Sequence, residues 1–165
     1  MPHNFRKIGE LFLDLDGTIV DAKIRQYFVY KSCMDKMNCL PLEIEKYWKL
    51  KRRKTEIQEL LSASDESADA QIFLDLRSNM IKDSDLYELD ELIPGVSDAL
   101  ESLSNNFSLK LLTARKNFEA TKKQLKKHLI DEYFEEIICC GQTNKEEVLL
   151  SSRVKTVLIG DTEHD

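Results

Sequence analysis

Apolar residues crowd the stretch Ile8 to Asp16, where Leu11, Phe12, Leu13 and Leu15 follow one another almost without a polar break. A run of this kind predicts a strand covered on both faces, as in a parallel sheet, and Gly17-Thr18 turns the chain after it. From about Asp21 the period changes to three and four. Tyr27, Phe28, Tyr30, Met34 and Met37 mark a first helix, Leu40-Pro41-Leu42 interrupts it, and the pattern resumes near Glu43. One helix is predicted from about Glu43 to Leu61, another from about Asp69 to Ile81 on Ile72, Phe73, Leu76 and Met80, and a short fourth over Leu86 to Leu92. The stretch reads as helices only, a small bundle.

Leu92-Ile93-Pro94-Gly95 breaks that pattern, and Val96, Ala99, Leu100 and Leu103 restart it as a helix ending near Asn105-Asn106. Strand and helix then alternate: a strand over Ser108 to Thr113, a helix over Asn117 to His128, a strand over Glu136 to Cys140, a short helix over Lys145 to Leu150, and a strand over Lys155 to Gly160. Such βα alternation gives parallel strands with right-handed crossovers. The predicted fold class is α/β: a Rossmann-like parallel core from residues 1–20 plus 93–165, interrupted by residues 21–92 as a helical cap. That insertion is too long for an ordinary loop.

Composition narrows the function classes. Of 165 residues 42% are apolar, enough for a globular core, while 24 Lys and Arg against 30 Asp and Glu leave a formal charge of −6. No general field attracts a polyanion, so nucleic acid is a poor partner. No apolar run reaches the roughly 20 residues of a bilayer span, and MPHNFRKIGE lacks the apolar stretch of a signal peptide. The expectation is a soluble, cytoplasmic protein without membrane partners. Cys33, Cys39, Cys139 and Cys140 have no zinc-ligand spacing, and His3, His128 and His164 are scattered, so buried free thiols are expected.

In an open α/β sheet ligands bind beyond the carboxyl ends of the strands. The first strand ends in Asp14-Leu15-Asp16-Gly17-Thr18, the second in Thr113-Ala114-Arg115 and the last in Gly160-Asp161-Thr162-Glu163-His164-Asp165, with Lys145 a few residues after the third. Carboxylates at i and i+2 face one side of a strand and repel each other unless a cation sits between them. Asp161 adds a third carboxylate, and such an all-oxygen set suits Mg²⁺, which bridges readily to phosphate. Backbone N–H groups after Asp14 and Thr113 would add a small anion-binding nest.

DLDGT on the first strand, a strand closing on Thr113, a downstream lysine and GDTEHD on a later strand, in this order, resemble the haloacid dehalogenase (HAD) superfamily with a helical cap. The resemblance implies a Mg²⁺-dependent phosphatase acting on a small phosphorylated metabolite. Asp14 would be the nucleophile that forms an aspartyl-phosphate, and Asp16 the general acid and base. Thr113 and Lys145 would hold phosphoryl oxygens. Asp14, the Asp16 backbone carbonyl and Asp161 would ligate the metal, while Asp165 would hold either Lys145 or a water on the metal.

Lys116 is the alternative to Lys145, since only about 15 residues separate Lys145 from Asp161, an interval shorter than in many relatives. Arg115 is expected either to touch the substrate phosphate or to cover the rim of the site. The basic cluster Lys49, Lys51, Arg52, Arg53 and Lys54 is either a solvated helix face or a cap surface for an anionic substrate. Tyr47 and Trp48 are expected in the core of the bundle. The chain stops at Asp165 where relatives continue, which predicts a truncated C-terminal end.

A sugar phosphomutase needs the same residues, and a non-catalytic phosphate-binding module would follow from the truncation. A haloalkanoate dehalogenase needs neither Asp16 nor the metal carboxylates. A phospho-accepting receiver domain carries its aspartate after a middle strand and lacks a helical insertion of this size.

Overall fold

The computed structural model describes residues 7–141, 145–150 and 156–160. The chain divides into two compact units, one of Met1–Asp21 with Glu91–Asp165 and one of Ala22–Asp90.

The α/β unit is built on β1 (Gly9–Leu13), β4 (Phe107–Thr113), β5 (Phe134–Cys139) and β6 (Thr156–Ile159), all parallel, in the order β5-β4-β1-β6. Later strands therefore lie on both sides of β1, which makes its carboxyl end the switch point where α/β sheets bind ligands. Leu11 stands opposite Leu109 and Leu13 opposite Leu111. Period-two alternation turns these four to one face, where they meet Leu100 of helix α5 (Val96–Ser104) and Leu125 of helix α6 (Phe118–Lys127). Leu111 is completely buried in this cluster. Leu111→Ala is expected to lower unfolding stability by about 2–5 kcal/mol, measured by urea denaturation, because the parallel ladder limits how far the site can collapse.

The other face carries Phe12 beside Lys110. Lys110 Nζ reaches Glu10 at 2.8 Å and Glu136 at 3.2 Å, and lies 5.5 Å from the centre of the Phe12 ring. One lysine thus ties three adjacent strands. The Glu10 bond, then Glu136, raises its pKa above the ordinary lysine range against the pull of burial.

The helical unit holds α1 (Lys23–Lys36), α2 (Ile44–Arg52), α3 (Ile57–Ser62) and α4 (Ala70–Met80), followed by a 3₁₀ turn over Ser84–Leu89. Its core gathers Val29, Tyr30, Cys33, Met34, Tyr47, Leu61 and Phe73, with Trp48 packed at the edge. Arg25 Nε donates to the fully buried Asp90 carboxylate at 2.8 Å, so the first helix is fastened to the residue that closes the unit.

Three expectations are corrected. The single helix from Glu43 to Leu61 is two, because Lys54 adopts φ +54° and ends α2. Thr55 N–H donates to the Leu50 carbonyl at 3.2 Å and Lys54 N–H to Lys51 at 2.9 Å, the two bonds of a Schellman ending. No glycine marks that turn in the sequence. The short helix over Leu86 to Leu92 is instead the 3₁₀ turn, begun by the Asp83 side chain accepting from Asp85 N–H at 3.0 Å, and then β3 (Glu91–Leu92). β3 pairs antiparallel with β2 (Val20–Asp21), so strands bound the insertion. Of the cysteines, Cys33 and Cys39 are buried as expected, whereas Cys139 and Cys140 are only half-buried, since they stand at the carboxyl end of β5 where the sheet opens to its site. No helix among the described residues is long and apolar enough to cross a membrane.

Candidate active site

The ladder between β1 and β6 extends one residue past β1, with Asp14 N–H donating to the Ile159 carbonyl at 2.9 Å. The chain then curls back. The Leu15 carbonyl accepts from Ile19 N–H at 2.9 Å and Val20 N–H at 3.0 Å, and Gly17 N–H donates to Val20 at 2.8 Å. This curl needs Gly17 at φ +88°, a conformation that costs glycine nothing and other residues a Cβ clash. Leu15, fully buried, pins the turn and leaves the carboxylates of Asp14 and Asp16 at the strand end.

Thr113 closes β4 and is buried. Its carbonyl accepts from Cys140 N–H at 2.9 Å and from the Cys140 thiol at 3.2 Å, and its hydroxyl oxygen accepts from Arg115 N–H at 3.3 Å. Burial raises the pKa of Cys140 above the ordinary thiol value, keeping the proton this bond uses. Lys145 opens the short helix α7 (Lys145–Leu150), and its Nζ lies 3.0 Å from Asp14 Oδ1. Both side chains of that pair are close to nine-tenths buried, at 12% and 11% exposure. Lys116 runs its stem along Gly141, where a Cβ would come within 3.4 Å of Lys116 Cγ. Of the two lysines, Lys145 is the one that reaches Asp14.

Arg115 is turned inward. Its guanidinium forks onto Asp16, with Nη2 to Oδ1 at 2.5 Å and Nε to Oδ2 at 3.2 Å, while Nη1 donates to Gln124 Oε1 at 2.6 Å. A planar fork matches a carboxylate in a way a lysine cannot. Each carboxylate therefore has its own cation, Lys145 for Asp14 and Arg115 for Asp16. The repulsion expected between them is already met by side chains of this chain.

Four expected residues converge here, namely Asp14, Asp16, Thr113 and Lys145, and Arg115 joins them through Asp16. Asp161 and Asp165 lie outside the described residues. Sequence reasoning missed Gln124, which is buried among Lys122, Lys123, Lys126 and Lys127 and shares the inward stripe of α6 with Thr121 and Leu125. A glutamine on an inward stripe asks for a buried polar partner. It also missed Thr18, whose hydroxyl is buried with no hydrogen-bond partner among the described residues.

The haloacid dehalogenase-like hydrolase family model matches residues 11–165. The chain belongs to this family. Among solved structures, this HAD-like hydrolase is similar to a haloacid dehalogenase-like family hydrolase from Streptococcus pneumoniae, at 21% identity and TM-score 0.68, covering 94% of this chain and 77% of that one. A HAD-superfamily hydrolase from Geobacter sulfurreducens superposes with TM-score 0.67 at 20% identity over 94% and 79% of the two chains. A structure described as a predicted phosphatase from Clostridium acetobutylicum does so with TM-score 0.66 at 21% identity over 97% and 79%. Likeness at this identity speaks for the fold. None of the curated proteins matches the chain.

Among the described residues, the site offers oxygen donors in the carboxylates of Asp14 and Asp16 at the strand end. That set fits a hard divalent cation such as Mg²⁺ and not a soft one. Among the described residues no cluster of three or more acidic, histidine or cysteine side chains forms a metal site by itself.

Proposed function

We propose that this HAD-like hydrolase is a Mg²⁺-dependent phosphatase that cleaves a small phosphomonoester through an aspartyl-phosphate on Asp14. The observation that carries the reading is the contact of Lys145 Nζ with Asp14 Oδ1 at 3.0 Å, at the carboxyl end of β1, beside buried Thr113. An anionic nucleophile meets an anionic phosphoryl group only if cations lie beside it, and here one does. The fold likeness to a structure described as a predicted phosphatase supports the same class.

In this mechanism Asp14 attacks phosphorus in line with the leaving oxygen, and Lys145 and the Thr113 hydroxyl hold the non-bridging oxygens as charge shifts. Asp16 gives a proton to the departing alkoxide and later takes one from the attacking water, a role in which each half-step leaves the carboxyl ready for the next. Splitting the displacement in two lowers each barrier. Asp14, the Asp16 carbonyl and Asp161 would hold Mg²⁺, and bound there the ion would neutralise the incoming phosphate. Asp165 would hold either Lys145 or a water on the metal. Residues 21–92 act as a cap on the core formed by 1–20 and 93–165, selecting the leaving group, and the enzyme works in the cytoplasm.

The test is a screen of phosphorylated metabolites with and without Mg²⁺, with hydroxylamine trapping of the acyl phosphate. Phosphate release that needs Mg²⁺, together with a hydroxylamine-sensitive label mapped to Asp14, is the expected result. A label on another residue, or turnover with no acyl phosphate, would overturn the covalent mechanism. Conversion of a bisphosphorylated sugar to its isomer without free phosphate would instead make the enzyme a mutase.

A further inference from the structure

The helical unit contains a cavity of about 330 Å³, at the small end of the roughly 300–1,000 Å³ of ligand pockets. Its walls divide by chemistry. Tyr30, Tyr47 and Phe73 supply aromatic surface, and Lys51, Lys54 and Arg77 supply charge. No aspartate or glutamate is among the described residues that line it.

The aromatic wall is fixed. Tyr30 and Tyr47 stack with ring centres 4.3 Å apart and planes 18° from parallel. Their hydroxyls are already engaged, Tyr30 with Ser64 at 2.7 Å and with Leu42 N–H at 2.8 Å, and Tyr47 with the Gln26 carbonyl at 3.4 Å. What they turn toward the cavity is apolar, but with Tyr30 1%, Tyr47 6% and Phe73 2% exposed they back the cavity as a closed wall and offer no open ring face.

The charged wall is uncompensated. Arg25, the nearby cation, is committed to Asp90 at 2.8 Å. Lys51, Lys54 and Arg77 make no ion pair among the described residues. Burial, followed by the charges of Arg77 and Arg25, depresses the Lys51 pKa, the response of an ammonium held near other cations without an anion. Lys54 sits at φ +54°, where glycine would end the helix without a Cβ penalty. A lysine kept at such a position places a charge at the cavity mouth at some backbone cost.

We infer that the cavity of the helical unit binds a small organic anion, its anionic group against Lys51, Lys54 and Arg77 and its apolar end toward the wall that Tyr47 and Phe73 back. This site is separate in its residues from the carboxylates of the α/β unit, and the inference does not depend on the phosphatase reading.

The chain has a single tryptophan, Trp48, on the same helix as Tyr47 and Lys51, so its fluorescence reports on this wall. Titration of the full chain with phenylphosphonate, a non-hydrolysable aromatic dianion, is expected to give a saturable change. Lys54→Gly and Arg77→Met should each weaken it roughly tenfold, the loss of about one charge-assisted contact. Lys54→Gly also guards against misfolding, because glycine suits the left-handed position and should leave the melting temperature unchanged or higher. Lys145→Ala should leave the titration as in the parent chain. Inorganic phosphate, which has no apolar end, should bind more weakly than phenylphosphonate. The inference is overturned by no saturable response, by unchanged affinity in Lys54→Gly and Arg77→Met, by loss of the response in Lys145→Ala, or by equal affinity for inorganic phosphate.

Discussion

Asp14→Asn is expected to remove phosphatase turnover by a factor on the order of 10⁴ or more, the scale on which deleting a covalent nucleophile acts. The amide keeps the size of the carboxylate but lacks its negative charge, so it attacks phosphorus poorly and cannot yield the acyl phosphate. The substitution also removes the Lys145–Asp14 ion pair from a nearly buried place, at 12% and 11% exposure. Loss of an ion pair in such a place lowers stability, so a modest drop in melting temperature accompanies the loss of activity. Phosphate binding should survive or improve, because the anion replaces Asp14 as partner of Lys145. Turnover within tenfold of the parent chain, with normal hydroxylamine trapping, would exclude Asp14 as nucleophile.

What the sequence made legible and what it hid separate along physical lines. The strand ends were readable because both signals are local: an unbroken apolar run such as Leu11 to Leu13 announces a buried strand, and the polar residues that follow it must lie at its end. Asp14, Asp16 and Thr113 could therefore be placed together from the α/β alternation alone. Lys145 was less secure because it follows a loop of unpredictable course, and its 3.0 Å contact with Asp14 is a product of tertiary structure. Arg115 was legible as a site residue but not in its direction, since its partner Asp16 lies 99 residues away and no local pattern selects between carboxylate and phosphate. In the helical unit the split between α2 and α3 was hidden for a different reason. A lysine occupies the left-handed position that glycine usually announces, so the periodicity of Leu50, Ile57 and Leu60 carried a single helix across a real break.

Arg115→Met is expected to lower kcat by roughly 10²-fold, within the range that general acid–base catalysis contributes, and to leave KM within a factor of about three. Arg115 takes two acceptor positions on Asp16 and is itself fixed by Gln124, so the carboxylate is held at one orientation. Orientation of this kind enters the rate through the fraction of time the acid or base is aligned with the leaving oxygen or the water. Arg115→Lys should recover only part of the loss, because an ammonium supplies the charge without the fork. Arg115→Met also takes from buried Gln124 Oε1 its 2.6 Å donor, a cost of about 1–3 kcal/mol that Arg115→Met with Gln124→Leu relieves. If the double variant regains stability but not kcat, the catalytic loss belongs to Asp16 and not to packing. Leaving groups sharpen the distinction: 4-nitrophenolate departs without a proton, so acyl-phosphate formation from 4-nitrophenyl phosphate should suffer less than from an alkyl phosphate. A rise in KM with kcat unchanged would instead place the guanidinium on the substrate phosphate and remove its role in holding Asp16.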